Sequence, residues 1–144
     1  MVCLVRWDDM EMSVLASRRR LDDRHGGAWE FPGGKVEPGE TPEVAGGREL
    51  KEEVDLVAPP LRPLMQVTYR YPDRTVTLHV LIGEVDGAYE PTPLEALECR
   101  WVRAPDLPSL GWLPANGPII ERLIQIAARG SDRHKKLGPD GRLG

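Results

Sequence analysis

Cysteine is scarce, basic charge is in deficit, and no apolar run is long. The two cysteines, Cys3 and Cys99, stand far apart, form no CxxC pair and supply no disulfide framework. A reduced, cytoplasmic setting is the expectation. Both lie in apolar, strand-like runs, which marks them as buried structural residues and not nucleophiles. A net charge of −4 provides no basic surface for a chain of phosphates, so no nucleic-acid polymer is expected as a partner. A single nucleotide stays open, because a metal ion could neutralise its charge. The opening MVCLVRWDD has too short an apolar run, and no basic leader, for a signal peptide. No stretch reaches the roughly 20 apolar residues of a membrane span, so no membrane association is expected. Nothing marks an obligate protein partner.

What is present fits one globular domain. The chain has 144 residues, 40% apolar and 29% charged, enough to bury a core. Short apolar runs predict strands over 2–6 and 12–18, turned by Asp8 and Asp9, with the polar loop 20–27 after them. Strands over 64–71 and 75–85 flank Pro72-Asp73, a hairpin signal. A short strand follows over 99–102. Residues 118–129 space their apolar positions as a helix does, with Pro118 suited to its first turn. Residues 130–144 are polar and Gly-rich and are expected to be a disordered tail, leaving a domain of residues 1–129. The order of strands and helices predicts an α/β fold with a mixed sheet covered by helices.

The informative stretch is WEFPGGKVEPGETPEVAGGRELKEEV, Trp29 to Val54. Thr41 and Pro42 form a helix start, a hydroxyl at the N-cap and a proline at N1. At about 100° per residue, Glu49, Glu52 and Glu53 fall on one side of that helix, and Val44, Gly47, Leu50 and Val54 on the other. Like charges at these spacings repel by a few tenths of a kcal/mol per pair. Gly46 and Gly47 each cost up to about 1 kcal/mol relative to alanine. Bound divalent metal would offset both penalties, and carboxylate oxygens suit Mg²⁺ or Mn²⁺ better than zinc. The glycines would allow close approach of another backbone. A plain solvated acidic face is the alternative.

From Gly34 the spacing is Gly, five residues, Glu40, seven residues, then Arg48-Glu49-Leu50-Lys51-Glu52-Glu53 and Leu56. This resembles the Nudix box, G-x5-E-x7-R-E-U-x-E-E-x-G-U, where U is aliphatic. At about one in ten per position, the six exact matches arise by chance roughly once per million starting points. The last glycine of the box is Asp55 here. That position follows a helix end and wants a left-handed conformation, which Asp tolerates better than most residues. The flanking SRRR, YPDRTVTLHV and LPANGPII are similar to the MutT branch of the family, over about residues 10 to 125.

The resemblance implies a Nudix fold, a mixed sheet between helices, and a Mg²⁺-dependent hydrolase, with Mn²⁺ as the substitute ion. Its branch implies cleavage of 8-oxo-dGTP to 8-oxo-dGMP and pyrophosphate. CTP or a modified pyrimidine nucleotide is the alternative substrate, and a nucleotide-sensing module without turnover is the alternative class. By resemblance Glu49, Glu52 and Glu53 would hold metal, joined by the Gly33 carbonyl. Gly34, Glu40 and Arg48 would be structural parts of the box, Arg48 pairing with a glutamate and Glu40 bracing the loop. The general base would be Glu49, Glu52 or Glu95, with Glu95 preferred to Glu98 as the distal acid. Arg19, Glu30, Phe31, Pro32 and Gly33 would line the nucleotide pocket, although Arg19 could instead be a solvated strand end and Phe31 plain core. Asn116 matches the family asparagine that reads the base, and would otherwise cap the helix that follows.

Overall fold

The computed structural model describes residues 1–136, of which 131–136 are described by their backbone alone. The described residues form six strands and two helices: β1 (Val2–Asp8), β2 (Glu11–Arg18), β3 (Trp29–Glu30), α1 (Pro42–Val54), β4 (Arg62–Tyr71), β5 (Arg74–Glu84), β6 (Glu98–Arg103) and α2 (Gly117–Lys136). Short 3₁₀ turns cover Ala104–Ser109 and Pro114–Asn116. The sheet runs β3-β2-β1-β5-β4, with β6 added along β2. β1 pairs with β5 in parallel, Val2 opposite Leu81, and the other strand pairs are antiparallel. The sheet is therefore mixed, as expected.

Strand alternation sorts the core onto the two faces of the sheet. Val2, Leu4 and Leu15 meet Leu50 and Val54 of α1 on one face. Cys3, Val5, Met12 and Val14 meet Ile119, Ile120 and Leu123 of α2 on the other. Leu4, Leu50 and Leu123 are fully buried. Truncating such a leucine to alanine costs about 2–5 kcal/mol, and that burial fixes α1 on the sheet.

Four local expectations are corrected. α2 continues through Lys136, so of the tail expected to be disordered from Gly130, residues 130–136 are helical; the remainder, 137–144, lies outside the described residues. β3 escaped detection because two residues are too few to show a period. The buried positions of α1 are Ala45, Gly46, Leu50 and Val54, whereas Val44 is 58% exposed. The helix is gripped by the sheet on one side and by the turn before it on another, which leaves Val44 facing out. Only Gly46 serves close packing, since an added Cβ there would lie 3.0–3.1 Å from Val2, Leu61 and Leu81, while one at Gly47 would meet nothing nearer than 3.7 Å.

Both ends of α1 follow from sequence. The Thr41 hydroxyl accepts the Val44 N–H at 3.2 Å. Asp55 closes the helix in the left-handed region, φ 56° and ψ 42°, its N–H donating to the Leu50 carbonyl. Its carboxylate pairs with Lys51 at 2.7 Å, an exposed contact of small value. Asp55→Gly removes the strain of a side chain in that region and is expected to stabilise the fold by about 0.5 kcal/mol, read by urea denaturation, with turnover unchanged.

Candidate functional site

Between α1 and the outer half of β5 lies a cleft of about 610 Å³. Arg19, Glu30, Phe31, Gly33, Gly34 and Lys35 border it on one side, and Arg74, Val76, Thr77, Leu78 and His79 on another. The Pro32–Gly34 turn runs past the acidic side of α1. Gly33 N–H donates to Glu53 Oε2 at 2.9 Å. A Cβ on Gly34 would sit 2.4 Å from Glu49 Oε1, so only glycine lets that carboxylate lie against the turn. Gly33 holds φ at 153°, outside the range that L side chains favour.

Arg48 organises the acids around it. Its guanidinium donates to both oxygens of Glu40, at 2.8 and 2.9 Å, to Glu49 at 2.9 Å, to Glu52 at 3.3 Å and to the Lys35 carbonyl at 3.1 Å. The fork to Glu40 ties the loop before α1 to the helix. The Arg48 bond holds the Glu40 carboxyl at about 2, well below its usual range, with help from the Glu37 N–H. Glu53 behaves oppositely. Burial pushes its carboxyl up to about 7, and Glu49, Glu30 and Glu95 add to the rise against the Gly33 hydrogen bond. Burial also raises Glu30, opposed by Arg19.

As the side chains stand, no three His, Cys, Asp or Glu groups among the described residues converge tightly enough to grip an ion. Glu49 and Glu52 are turned to Arg48, and Glu53 to Gly33. The donor set nonetheless suits a hard divalent cation: carboxylate oxygens on adjacent turns, one of them desolvated and crowded by other acids. Rotation of Glu49 and Glu52 about their side-chain bonds could complete such a site.

The chain matches the NUDIX domain family over residues 1–123. It belongs to the Nudix family. It is 36% identical to an 8-oxo-dGTP diphosphatase of Escherichia coli over 114 residues, covering 78% of this chain and 87% of that protein. It is 40% identical to an 8-oxo-dGTP diphosphatase of Haemophilus influenzae over 96 residues, 66% of this chain and 69% of the other. Among solved structures, a Nudix hydrolase from M. smegmatis, RenU, superposes with a TM-score of 0.73 at 25% identity, covering 89% and 83% of the two chains. The protein is accordingly a Nudix hydrolase, of a family that acts on small nucleotide-derived molecules with a divalent metal. Among the described residues no helix is long and apolar enough to cross a membrane.

The Nudix box and the residues around it do not all meet at one surface. Of the three consecutive arginines, Arg19 borders the cleft and pairs with Glu30 at 3.2 Å, while its Nε donates to the Arg24 carbonyl at 2.7 Å. Arg18 turns to the Gly27 carbonyl and Glu98, and Arg20 to Asp22. Glu98 is occupied by ion pairs to Arg18 and Arg100, each 3.3 Å. Glu95 lies in the loop whose Thr92 and Leu94 N–H groups donate to the Val54 and Glu53 carbonyls at the end of α1. Asn116 is 1% exposed and is not part of the cleft lining. Its Nδ2 donates to the Leu113 carbonyl at 3.3 Å, and its Oδ1 has no hydrogen-bond partner among the described residues. The amide oxygen therefore caps no helix, contrary to the capping alternative. Sequence reasoning missed Lys35 and Arg74, two cations at the cleft. It also missed Trp112, whose ring stacks on Phe31 at 4.7 Å. The cations had a signal in their adjacency to the Gly-Gly and Pro-Asp turns; Trp112 had none.

Proposed function

We propose that this Nudix hydrolase is an 8-oxo-dGTP diphosphatase, releasing pyrophosphate and 8-oxo-dGMP and so clearing oxidised guanine from the nucleotide pool. The observation that carries the substrate is Asn116, a buried amide with one donor engaged and its acceptor unpaired. Guanine offers two acceptors on the O6–N7 edge; oxidation at C8 puts a proton on N7 and makes that edge acceptor plus donor. The Asn116 amide matches it with one free N–H and one oxygen. Against ordinary guanine the same oxygen faces a lone pair, a mismatch of about 1–3 kcal/mol in a buried site. Base entry requires the cleft to deepen toward Asn116. The names of the curated relatives support the same substrate.

Glu49, Glu52 and Glu53, with the Gly33 carbonyl, are the proposed metal ligands, and Mg²⁺ the proposed ion, with Mn²⁺ able to replace it. When bound, that ion neutralises phosphate charge and polarises the attacking water. Arg48 holds Glu49 and Glu52 in reach of the turn. Arg19, Lys35 and Arg74 present positive charge to a triphosphate across the cleft. The proton of the attacking water passes to one of Glu49, Glu52 and Glu95. Glu30, Phe31 and Pro32 shape the wall beside the nucleotide.

Metal binding must displace the proton that Glu53 carries below about pH 7. Apparent Mg²⁺ affinity is expected to rise with pH by up to about tenfold per unit below pH 7 and to level off above it, as read by calorimetric titration. Because the folded carboxyl titrates higher than an unfolded one, the metal-free fold binds the extra proton between about pH 4.5 and 7 and loses stability as pH rises through that window. Added cation should reverse the loss. The activity itself is tested by pyrophosphate release with Mg²⁺ from 8-oxo-dGTP, dGTP and CTP at low micromolar concentration. A large preference for 8-oxo-dGTP supports the reading. Equal or faster turnover of dGTP or CTP discards the substrate and keeps the chemistry, and no release from any of them favours a sensing module.

A further inference from the structure

Asn116 is held by a single acceptor. The Leu113 carbonyl takes both its backbone N–H, at 3.0 Å, and its Nδ2, at 3.3 Å. Leu113 is in turn tied to β3, donating its N–H to the Trp29 carbonyl at 3.1 Å, while the Trp29 N–H donates to the Gly111 carbonyl at 2.9 Å. Trp112 lies between those two bonds, opposite Trp29 in a one-residue parallel bridge. Its ring stacks on Phe31 at 4.7 Å with 26° between the planes, and its Nε1 donates to the Leu107 carbonyl at 2.6 Å. The segment LPSLGWLPAN is rich in proline and carries only short 3₁₀ turns, so long-range contacts must set its place. Phe31 belongs to the stretch that borders the cleft, and Asn116 to the stretch behind it. The Trp112 ring joins this segment to Phe31 by side-chain contact, and its Nε1 bond to the Leu107 carbonyl sets its angle.

Resting on the reading of Asn116 as the group that recognises the base, we infer that Trp112 is a positioning residue for substrate selection. It acts through Leu113, whose carbonyl orients the Asn116 amide, and through Phe31, which sets the cleft wall at a fixed distance from that amide. Trp112 is not among the residues that line the cleft beside the acids of α1. Its loss therefore bears on discrimination between bases and leaves turnover intact. A tryptophan that served only the core would affect both nucleotides alike.

The test compares kcat and KM for 8-oxo-dGTP and dGTP in the full-length, Mg²⁺-loaded wild type, Trp112→Phe and Trp112→Leu. Trp112→Leu is expected to lower the ratio of kcat/KM for the oxidised over the normal nucleotide by about tenfold, through KM for 8-oxo-dGTP, with kcat within about threefold of wild type. Trp112→Phe keeps a ring on Phe31 but loses the Leu107 bond, and should lower the ratio by about threefold. An unchanged ratio in Trp112→Leu, or an equal loss on both nucleotides, overturns the inference while leaving the 8-oxo-dGTP reading intact. If the leucine variant does not fold, an unchanged ratio in Trp112→Phe overturns it. A wild type with no preference for the oxidised base overturns the reading of Asn116 and the inference with it.

Discussion

Glu53→Gln is expected to lower kcat by about three orders of magnitude while the protein becomes more stable, not less. The amide oxygen of glutamine can still accept the Gly33 N–H, so the turn keeps its hold on α1. What disappears is a carboxylate charge, and with it one oxygen of the proposed cation site. Removing a group that stabilises transition-state charge typically costs a factor of about 10²–10³, and the weaker ion binding adds to it. Stability moves the other way because the Glu53 charge is desolvated and crowded by Glu49, Glu30 and Glu95. At pH 8 without metal the wild type bears that cost and the variant does not. A gain of about 1–2 kcal/mol is expected, discounted from the full pKa displacement because part of the side chain meets water. Pyrophosphate release and thermal melts at pH 8 in chelator measure the two effects on the same samples. A variant that lost activity together with stability would show that Glu53 is chiefly a structural residue.

Asn116→Ala is expected to reduce the preference for 8-oxo-dGTP over dGTP by about 10- to 100-fold, by weakening the oxidised substrate and relieving the mismatch with the normal one. The estimate follows from losing one acceptor and one donor contact inside a buried site, about 1–3 kcal/mol. dGTP turnover should hold or rise, since alanine removes the oxygen that faces the N7 lone pair. The metal-free variant should fold as well as wild type, because the side chain removed leaves an amide oxygen unpartnered in the native protein. Steady-state kinetics on both nucleotides decides it, and unchanged discrimination would place base reading elsewhere in the cleft wall.

The acidic helix was legible because its signals are local. A capping threonine, a proline at N1 and acids repeated at helical spacing need no knowledge of the rest of the chain. The mixed sheet was legible from the order of its strand-length apolar runs and helices, although the parallel β1–β5 pair that makes it mixed joins distant segments. The exact buried face of α1 was not, because that helix is held on two sides and simple periodicity assumes one. Gly46 and Gly47 look alike in sequence, yet one packs on Val2, Leu61 and Leu81 and the other does not. The pairing of Glu98 with Arg18 was not legible either, because it depends on where the ends of β2 and β6 meet. Trp112 was invisible because its partner is 81 positions earlier in the chain, in a stretch that reads as a turn.

The loop from Pro91 to Leu97 has no regular structure, but its Thr92 and Leu94 amides close the last turn of α1 by donating to the Val54 and Glu53 carbonyls. The two segments therefore share one local opening event. In hydrogen exchange the Thr92 and Leu94 amides should become protected and exposed in step with the carboxyl end of the helix, as one cooperative unit. Any ligand that quietens that turn also quietens the loop that carries Glu95, through two backbone bonds.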